Sequence, residues 1–195
     1  YRLQTKDIAT LYEIWCFIEV SHIVKELLGD DVDMDHHNRG EMNGLFTWNL
    51  KKGEHSCILF KKDGVELAEL VYNPKHTDQE NDSISMENLV VPTVAQKPDI
   101  VLQLTKNDLQ KNMKMTYLFD AKYRIEKEPE NSFYPDPNNN LGPKVDDINT
   151  MHRYRDAIVY KHKKDPVFER TMFGAYVLFP YKNEERYLDH RFYQS

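Results

Sequence analysis

Two apolar runs, PDIVLQL at 98–104 and MTYLFDAKYRI at 115–125, constrain this chain more than any other feature. Both read as strands, and TKNDLQKNMK between them reads as a hairpin connection. Asp99 stands at the start of the first run, while Asp120 and Lys122 interrupt the end of the second. Strands destined for a core seldom carry two carboxylates and an ammonium without a chemical reason, because buried charge requires a partner, a proton or a metal.

The elements around this pair are legible from periodicity. Residues 5–28 read as a helix that ends at Gly29, and its apolar positions cover nearly every face, the mark of a buried helix. Glu13 and Glu19 both lie within it. After a polar loop at 30–42, LFTWNL (45–50) alternates, and SCILFKK-DG-VELAELVY holds an Asp63-Gly64 hairpin turn. Residues 74–88 are expected to be loop, and the Pro- and Asn-rich stretch 126–144 a mobile one. A second helix is expected from VDDINTMHRYRDAIVYKHK, with Asp146 or Asp147 near its start, and FGAYVLFPY (173–181) closes as a buried strand. The order describes one α/β domain over 1–195 with a mixed sheet, its last strand joining on the far side of the second helix.

Composition removes several function classes. With 40% hydrophobic and 12% aromatic residues, the 195-residue chain can build a real core. A formal charge of −6 disfavours coating nucleic acid by bulk electrostatics, though a local basic groove is compatible with it. The segment 150–164 holds Arg153, Arg155, Lys161, Lys163 and Lys164 against Asp156, and a solvated helix face is the plain reading of that run. Cys16 and Cys57 form no CxxC pair, which argues against a zinc ribbon, an iron–sulfur cluster or a disulfide framework and fits a cytoplasmic protein. No apolar run approaches a membrane span, and no P-loop, dinucleotide fingerprint or nucleophile elbow is present. DVDMDHHNRGE (31–41) has the residues of a metal site without the spacing of one, and is expected to be a solvated loop. A start at Tyr1 and an end at Ser195 are expected of a fragment of a longer protein.

If the two best strands are neighbours, Asp99 and Asp120 lie at one end of the sheet, with Lys122 on the same face as Asp120 and Ala121 pointing away. Two carboxylates and the Ala121 carbonyl between them form an oxygen-only pocket of the kind Mg²⁺ prefers, Mn²⁺ serving as substitute. A lysine two residues on can hold an attacking water or offset charge on a phosphate. Any single D-x-K triplet is accounted for by a surface salt bridge. Here a P-D at a strand start, D-A-K at the end of the next apolar run and glutamates on an upstream helix occur together.

PDIVLQL…YLFDAKYR resembles the PD-(D/E)xK nuclease superfamily. More narrowly, LYEIWCF, FDAKYR, DDINTMHRYRDAI and GAYVLFPY, spanning about 11–181, are similar to McrC-like nuclease domains, which work with an AAA+ motor NTPase and cut modified or foreign DNA. The resemblance implies a restriction-endonuclease-like core of order αβββαβ, with a mixed central sheet flanked by helices. It implies Asp99 and Asp120 as metal ligands, Lys122 as the catalytic lysine, and Glu13 as the helix acid, acting on the metal directly or through water. Periodicity alone does not choose between Glu13 and Glu19, since both lie on apolar faces.

On the second helix, His152, Arg155 and Val159 share one side beside a stripe of Met151, Tyr154 and Ile158. His152 and Arg155, with Tyr123 and Arg124, are the candidate DNA contacts. Pairing of Arg155 with a nearby acid and a core-edge role for His152 explain the same residues without DNA. Relatives carry Gln four residues before this Tyr, where Thr150 stands here, so no glutamine role is carried over. The leading expectation is a Mg²⁺-dependent DNA endonuclease, with DNA, a motor NTPase and a second copy of the chain as partners. An inert DNA-binding or assembly module on the same fold, and a repair or recombination nuclease, are the alternatives.

Overall fold

The structure is a computed structural model that describes residues 5–38, 56–74, 89–92, 96–107, 112–123, 126–127, 141–161 and 167–180. The first helix, α1 (Thr5–Leu28), takes the expected span. Phe17, Val20 and Val24 on it are buried, at the i, i+3, i+7 spacing of one helical face, together with Cys16 and Ser21. Leu11, Trp15, Ile23 and Leu27 stay exposed, which corrects the expectation of a helix buried all round. Gly29 ends it at φ +103°, its N–H bonded to the Lys25 carbonyl at 3.1 Å, a left-handed cap that favours glycine.

Six strands make the main sheet: β1 (Asp33–Asn38), β2 (Ser56–Lys62), β3 (Val65–Tyr72), β5 (Ile100–Asn107), β6 (Asn112–Ala121) and β11 (Met172–Leu178). Shorter pieces are β4 (Leu89–Val90), β7 (Glu126–Lys127), β8 (Leu141–Gly142), β9 (Val159–Lys161) and β10 (Phe168–Glu169), and α2 (Val145–Ala157) lies between β8 and β9. The sheet order is β1-β2-β3-β5-β6-β11, antiparallel throughout except for the parallel β6–β11 pair. This is the mixed α/β sheet flanked by helices expected of a restriction-endonuclease-like core. The turn between β2 and β3 falls on Asp63 (φ 52°) and Gly64 (φ 78°), the two positive angles a tight hairpin requires.

Strand alternation divides the core into two layers. Ala68, Leu70, Tyr72, Ile100 and Leu102 face α1 and pack on Phe17, Val20 and Val24. Val71, Val101 and Leu118 point the other way, onto Met151, Tyr154 and Ile158 of α2 and its end. α2 packs on β6 and β11, the two strands that carry the C-terminal rim of the sheet.

Four further expectations are corrected. Asp33–Asn38, read as part of a solvated loop, is an edge strand paired with β2, with Lys61 Nζ 2.9 Å from Asp35 Oδ2. The β5–β6 ladder runs to Asn107↔Asn112, so the connection is shorter than TKNDLQKNMK. The second helix stops at Ala157, because Ile158 takes extended angles (φ −90°, ψ 123°) and the β-branched and aromatic run Val159–Lys161 pairs with β4 and β10. β11 is an edge strand with Phe173 and Tyr176 exposed, not a buried one. Within 126–144, Glu126–Lys127 pairs with Leu141–Gly142. The strand expected at 45–50 and most of the loop expected at 74–88 lie outside the described residues.

Phe17, fully buried between α1 and the sheet, sets its ring 5.5 Å from that of Tyr72. Phe17→Ala is expected to destabilise the fold by about 3–5 kcal/mol, read as a lower urea midpoint. A change below about 1 kcal/mol would show that α1 is not docked as described.

Candidate active site

Asp99 immediately precedes β5, and the pairing of Ile100 with Phe119 sets it beside Asp120 at the end of β6. It is held on both sides. Its carbonyl accepts the Asn73 N–H at 2.6 Å, and its Oδ2 accepts the Ala121 N–H at 2.7 Å. One residue thereby links the end of β3 to the end of β6. The ladder to β11 continues past Ala121 through Lys122 N–H to the Leu178 carbonyl, 2.8 Å.

Asp120 is 1% exposed. Its Oδ2 forms an ion pair with Lys122 Nζ at 2.5 Å, and among the described residues no other donor reaches that oxygen. The buried carboxylate thus depends on a single ammonium for its compensation, and removing that partner would leave a costly buried charge. Burial, then the neighbouring Asp120 carboxylate, push the Asp99 acid up to about 7, with Glu13 adding to the effect and Lys122 and the Ala121 N–H opposing it. Burial works against the charge on Lys122, but Asp120, then Asp99 and Asp147, hold its ammonium above the ordinary value.

Glu13 lies on the sheet-facing stripe of α1, four residues before Phe17. Its Oε2 accepts the Tyr72 hydroxyl at 3.2 Å. Burial, then the Glu13 carboxylate, keep the Tyr72 phenol well above its usual range. Glu19 is half-buried on a different side of the helix. From the opposite layer, Tyr154 donates to the Lys97 carbonyl at 3.1 Å, and burial, then Asp120 and Asp99, push its phenol up to about 12. Asp147, buried in the first turn of α2, accepts the Lys144 N–H at 3.2 Å.

Asp99, Asp120 and Lys122 are therefore brought together at one rim, while Glu13 stands on the α1 side, held by Tyr72, close enough to Asp99 to disfavour its charge. His152 and Arg155 are exposed on α2, Arg155 Nε lying 3.7 Å from Asp156 Oδ1. Tyr123 is exposed with its ring 5.4 Å from that of Tyr12, and Arg124 lies outside the described residues. Tyr72 was not a candidate from sequence, although it is a polar tip closing an apolar run. Tyr154 was read only as part of an apolar stripe.

Among the described residues, no group of three or more His, Cys, Asp or Glu side chains is assembled as a metal cluster. Mg²⁺ does not need one, since it keeps several waters and takes one or two carboxylates plus substrate oxygens. Two neighbouring aspartates at the end of β5 and β6 fit that requirement. The donors are all oxygen, as a hard cation prefers.

An α/β core with paired aspartates and a lysine at the rim of a mixed sheet is the architecture of restriction-endonuclease-like proteins. Residues 10–184 match the family model of the PD-(D/E)XK nuclease superfamily, and the chain belongs to that superfamily. No curated protein and no solved structure matches it. Among the described residues, no helix is long and apolar enough to cross a membrane.

The raised Asp99 acid has a consequence for stability. Between about pH 4 and pH 7 the folded state retains a proton that the unfolded chain has released, so stability falls as pH rises through that window. In EDTA, the urea midpoint of the parent is expected to drop across it relative to Asp99→Asn, by an amount on the order of a few kcal/mol at full ionisation. Parallel curves for the two proteins would show that Asp99 is not under this pressure.

Proposed function

We propose that the domain is a divalent-metal-dependent endonuclease that hydrolyses phosphodiester bonds in DNA. The observation that carries this reading is the buried Asp120 carboxylate at the sheet rim, beside Asp99 and ion-paired with the Lys122 ammonium. Asp99 and Asp120 would hold Mg²⁺ with the Ala121 carbonyl, and Glu13 would act on it directly or through a water. When bound, such an ion supplies Lewis-acid stabilisation of phosphate charge and a more acidic water.

The chain's own groups have separable tasks. Lys122 neutralises Asp120 and, once that carboxylate is otherwise compensated, orients the attacking water and offsets charge developing on the phosphate. The water oxygen bonds to phosphorus as the bond to the 3′-oxygen breaks, leaving a 5′-phosphate and a 3′-hydroxyl. Asp99, fixed by Asn73 and Ala121, keeps the pocket in register for that in-line geometry. Tyr72 holds Glu13 in place and keeps the wall of the pocket uncharged.

The similarity of about 11–181 to McrC-like domains supports a finer reading, in which the nuclease works in the cytoplasm with an AAA+ motor NTPase in restriction of foreign or modified DNA. A second copy would then supply the second cut of a double-strand break. His152, Arg155, Tyr123 and Arg124 are the proposed DNA contacts around the site.

Mg²⁺- or Mn²⁺-dependent nicking of plasmid DNA is the expected activity. Asp120→Ala and Lys122→Ala are each expected to lower it by about 10²–10³-fold while circular dichroism stays native. Undiminished nicking in either variant would end the proposal. Glu13→Gln is expected to impair the same assay more than Glu19→Gln, and the reverse order would reassign the helix acid.

A further inference from the structure

The exit of β3 beside the candidate site is strained. The ladder between β3 and β5 ends at the Tyr72–Ile100 pair, and Asn73 adds one further contact, its N–H reaching the Asp99 carbonyl at 2.6 Å. At Asn73 the backbone turns left-handed, with φ 50°, and the next residue is Pro74. Among the described residues the only other non-glycine with a positive φ is Asp63, in the β2–β3 hairpin, where the tight turn requires it. No such turn requires it at Asn73. A residue before proline is pushed toward extended angles, so this conformation runs against its own sequence neighbour. Such strain persists where surrounding contacts hold it in place, and it gathers at functional sites.

Asparagine tolerates the left-handed region better than most residues, because its short amide can bond locally. Here the amide also bears on the site. Burial, then the Glu13 carboxylate, raise the Tyr72 phenol, and the Asn73 side chain opposes them, as an amide N–H directed at the hydroxyl oxygen does. Tyr72 in turn donates to Glu13 Oε2 at 3.2 Å. Asn73 is thereby linked to Asp99 through its backbone and to Glu13 through Tyr72. Pro74, buried and without an N–H, cannot carry the ladder further, so the contact to Asp99 is its last rung.

We propose that Asn73 is a positioning residue, whose left-handed backbone pins the main chain of Asp99 and so aims its carboxylate at a divalent cation. The inference rests on the nuclease reading and extends it to a residue outside the set of acids and lysine. With Asp99 Oδ2 bonded to the Ala121 N–H at 2.7 Å, the aim of Oδ1 follows the main chain at Asp99, which Asn73 holds from the β3 side. A residue that merely ended β3 would alter stability and leave cation affinity alone.

The test is calorimetric titration of Mn²⁺ into the protein without DNA, with urea unfolding of each variant alongside. Asn73→Val, whose branched Cβ is excluded from the left-handed region, is expected to weaken Mn²⁺ binding by at least about ten-fold. Asn73→Gly, which takes the angle freely and keeps the N–H, is expected to bind within about three-fold of the parent. Asn73→Ala should fall between the two, and it carries the comparison if Asn73→Val does not fold. Affinities of Asn73→Val and Asn73→Ala equal to the parent's, with only stability lowered, would overturn the proposal. So would Asn73→Gly weakened as much as Asn73→Val, or a parent that binds no Mn²⁺. The expected order of affinities without any nicking of DNA would leave the positioning role standing and count against the nuclease reading.

Discussion

The geometry of the rim depends on how Asp99 is tied down. Its carbonyl takes an N–H from Asn73 and its carboxylate takes one from Ala121, so a single residue joins the ends of two strands that are not themselves neighbours. A backbone N–H bonded to a buried carboxylate is among the stronger hydrogen bonds a protein makes. It also aims the carboxylate. With Oδ2 committed to Ala121, the Asp99 group is fixed next to Asp120, whose charge adds to burial in opposing the ionisation of Asp99. The fold therefore maintains an electrostatic conflict that its other interactions must outweigh.

The surroundings sharpen that conflict. The hydroxyls of Tyr72 and Tyr154 approach the pocket from opposite layers, one on Glu13 and the other on the Lys97 carbonyl. Both phenols are held neutral, the first cause being burial. Neutral, water-excluding walls lower the local dielectric, and charges within them act on one another more strongly than they would in solvent. Lys122 is the positive charge paired with Asp120, at 2.5 Å.

Much of this was legible in the sequence, for identifiable reasons. The bounds of α1, the Asp63-Gly64 turn and the β5–β6 pair follow from local periodicity and turn chemistry, which tertiary context did not override. Superfamily membership followed from the order of short motifs, and it holds over residues 10–184. What escaped was determined by distant pairing. Asp33–Asn38 has no apolar alternation to announce a strand, and it becomes one because the edge of β2 offers a ladder. The end of α2 was misplaced because Ile158–Lys161 continues a helical pattern, while its β-branched and aromatic residues find strand partners from two other segments. The choice between Glu13 and Glu19 was closed to periodicity, since both faces of α1 are apolar. Docking separates them: the Phe17–Val24 stripe is the buried one, and Glu13 lies on it.

β6 shows why one strand can serve two demands at once. Leu118, Asp120 and Lys122 alternate with Tyr117, Phe119 and Ala121, so the charged groups and the residues packed in the α1-side core lie on opposite sides of one backbone. A slip of one residue in the pairing with β5 or β11 would exchange the two sets, turning the aspartate into the layer under α1 and the rings toward α2. The register is protected against that slip by the same contacts that build the rim, Asp99 to Ala121 and Lys122 to Leu178.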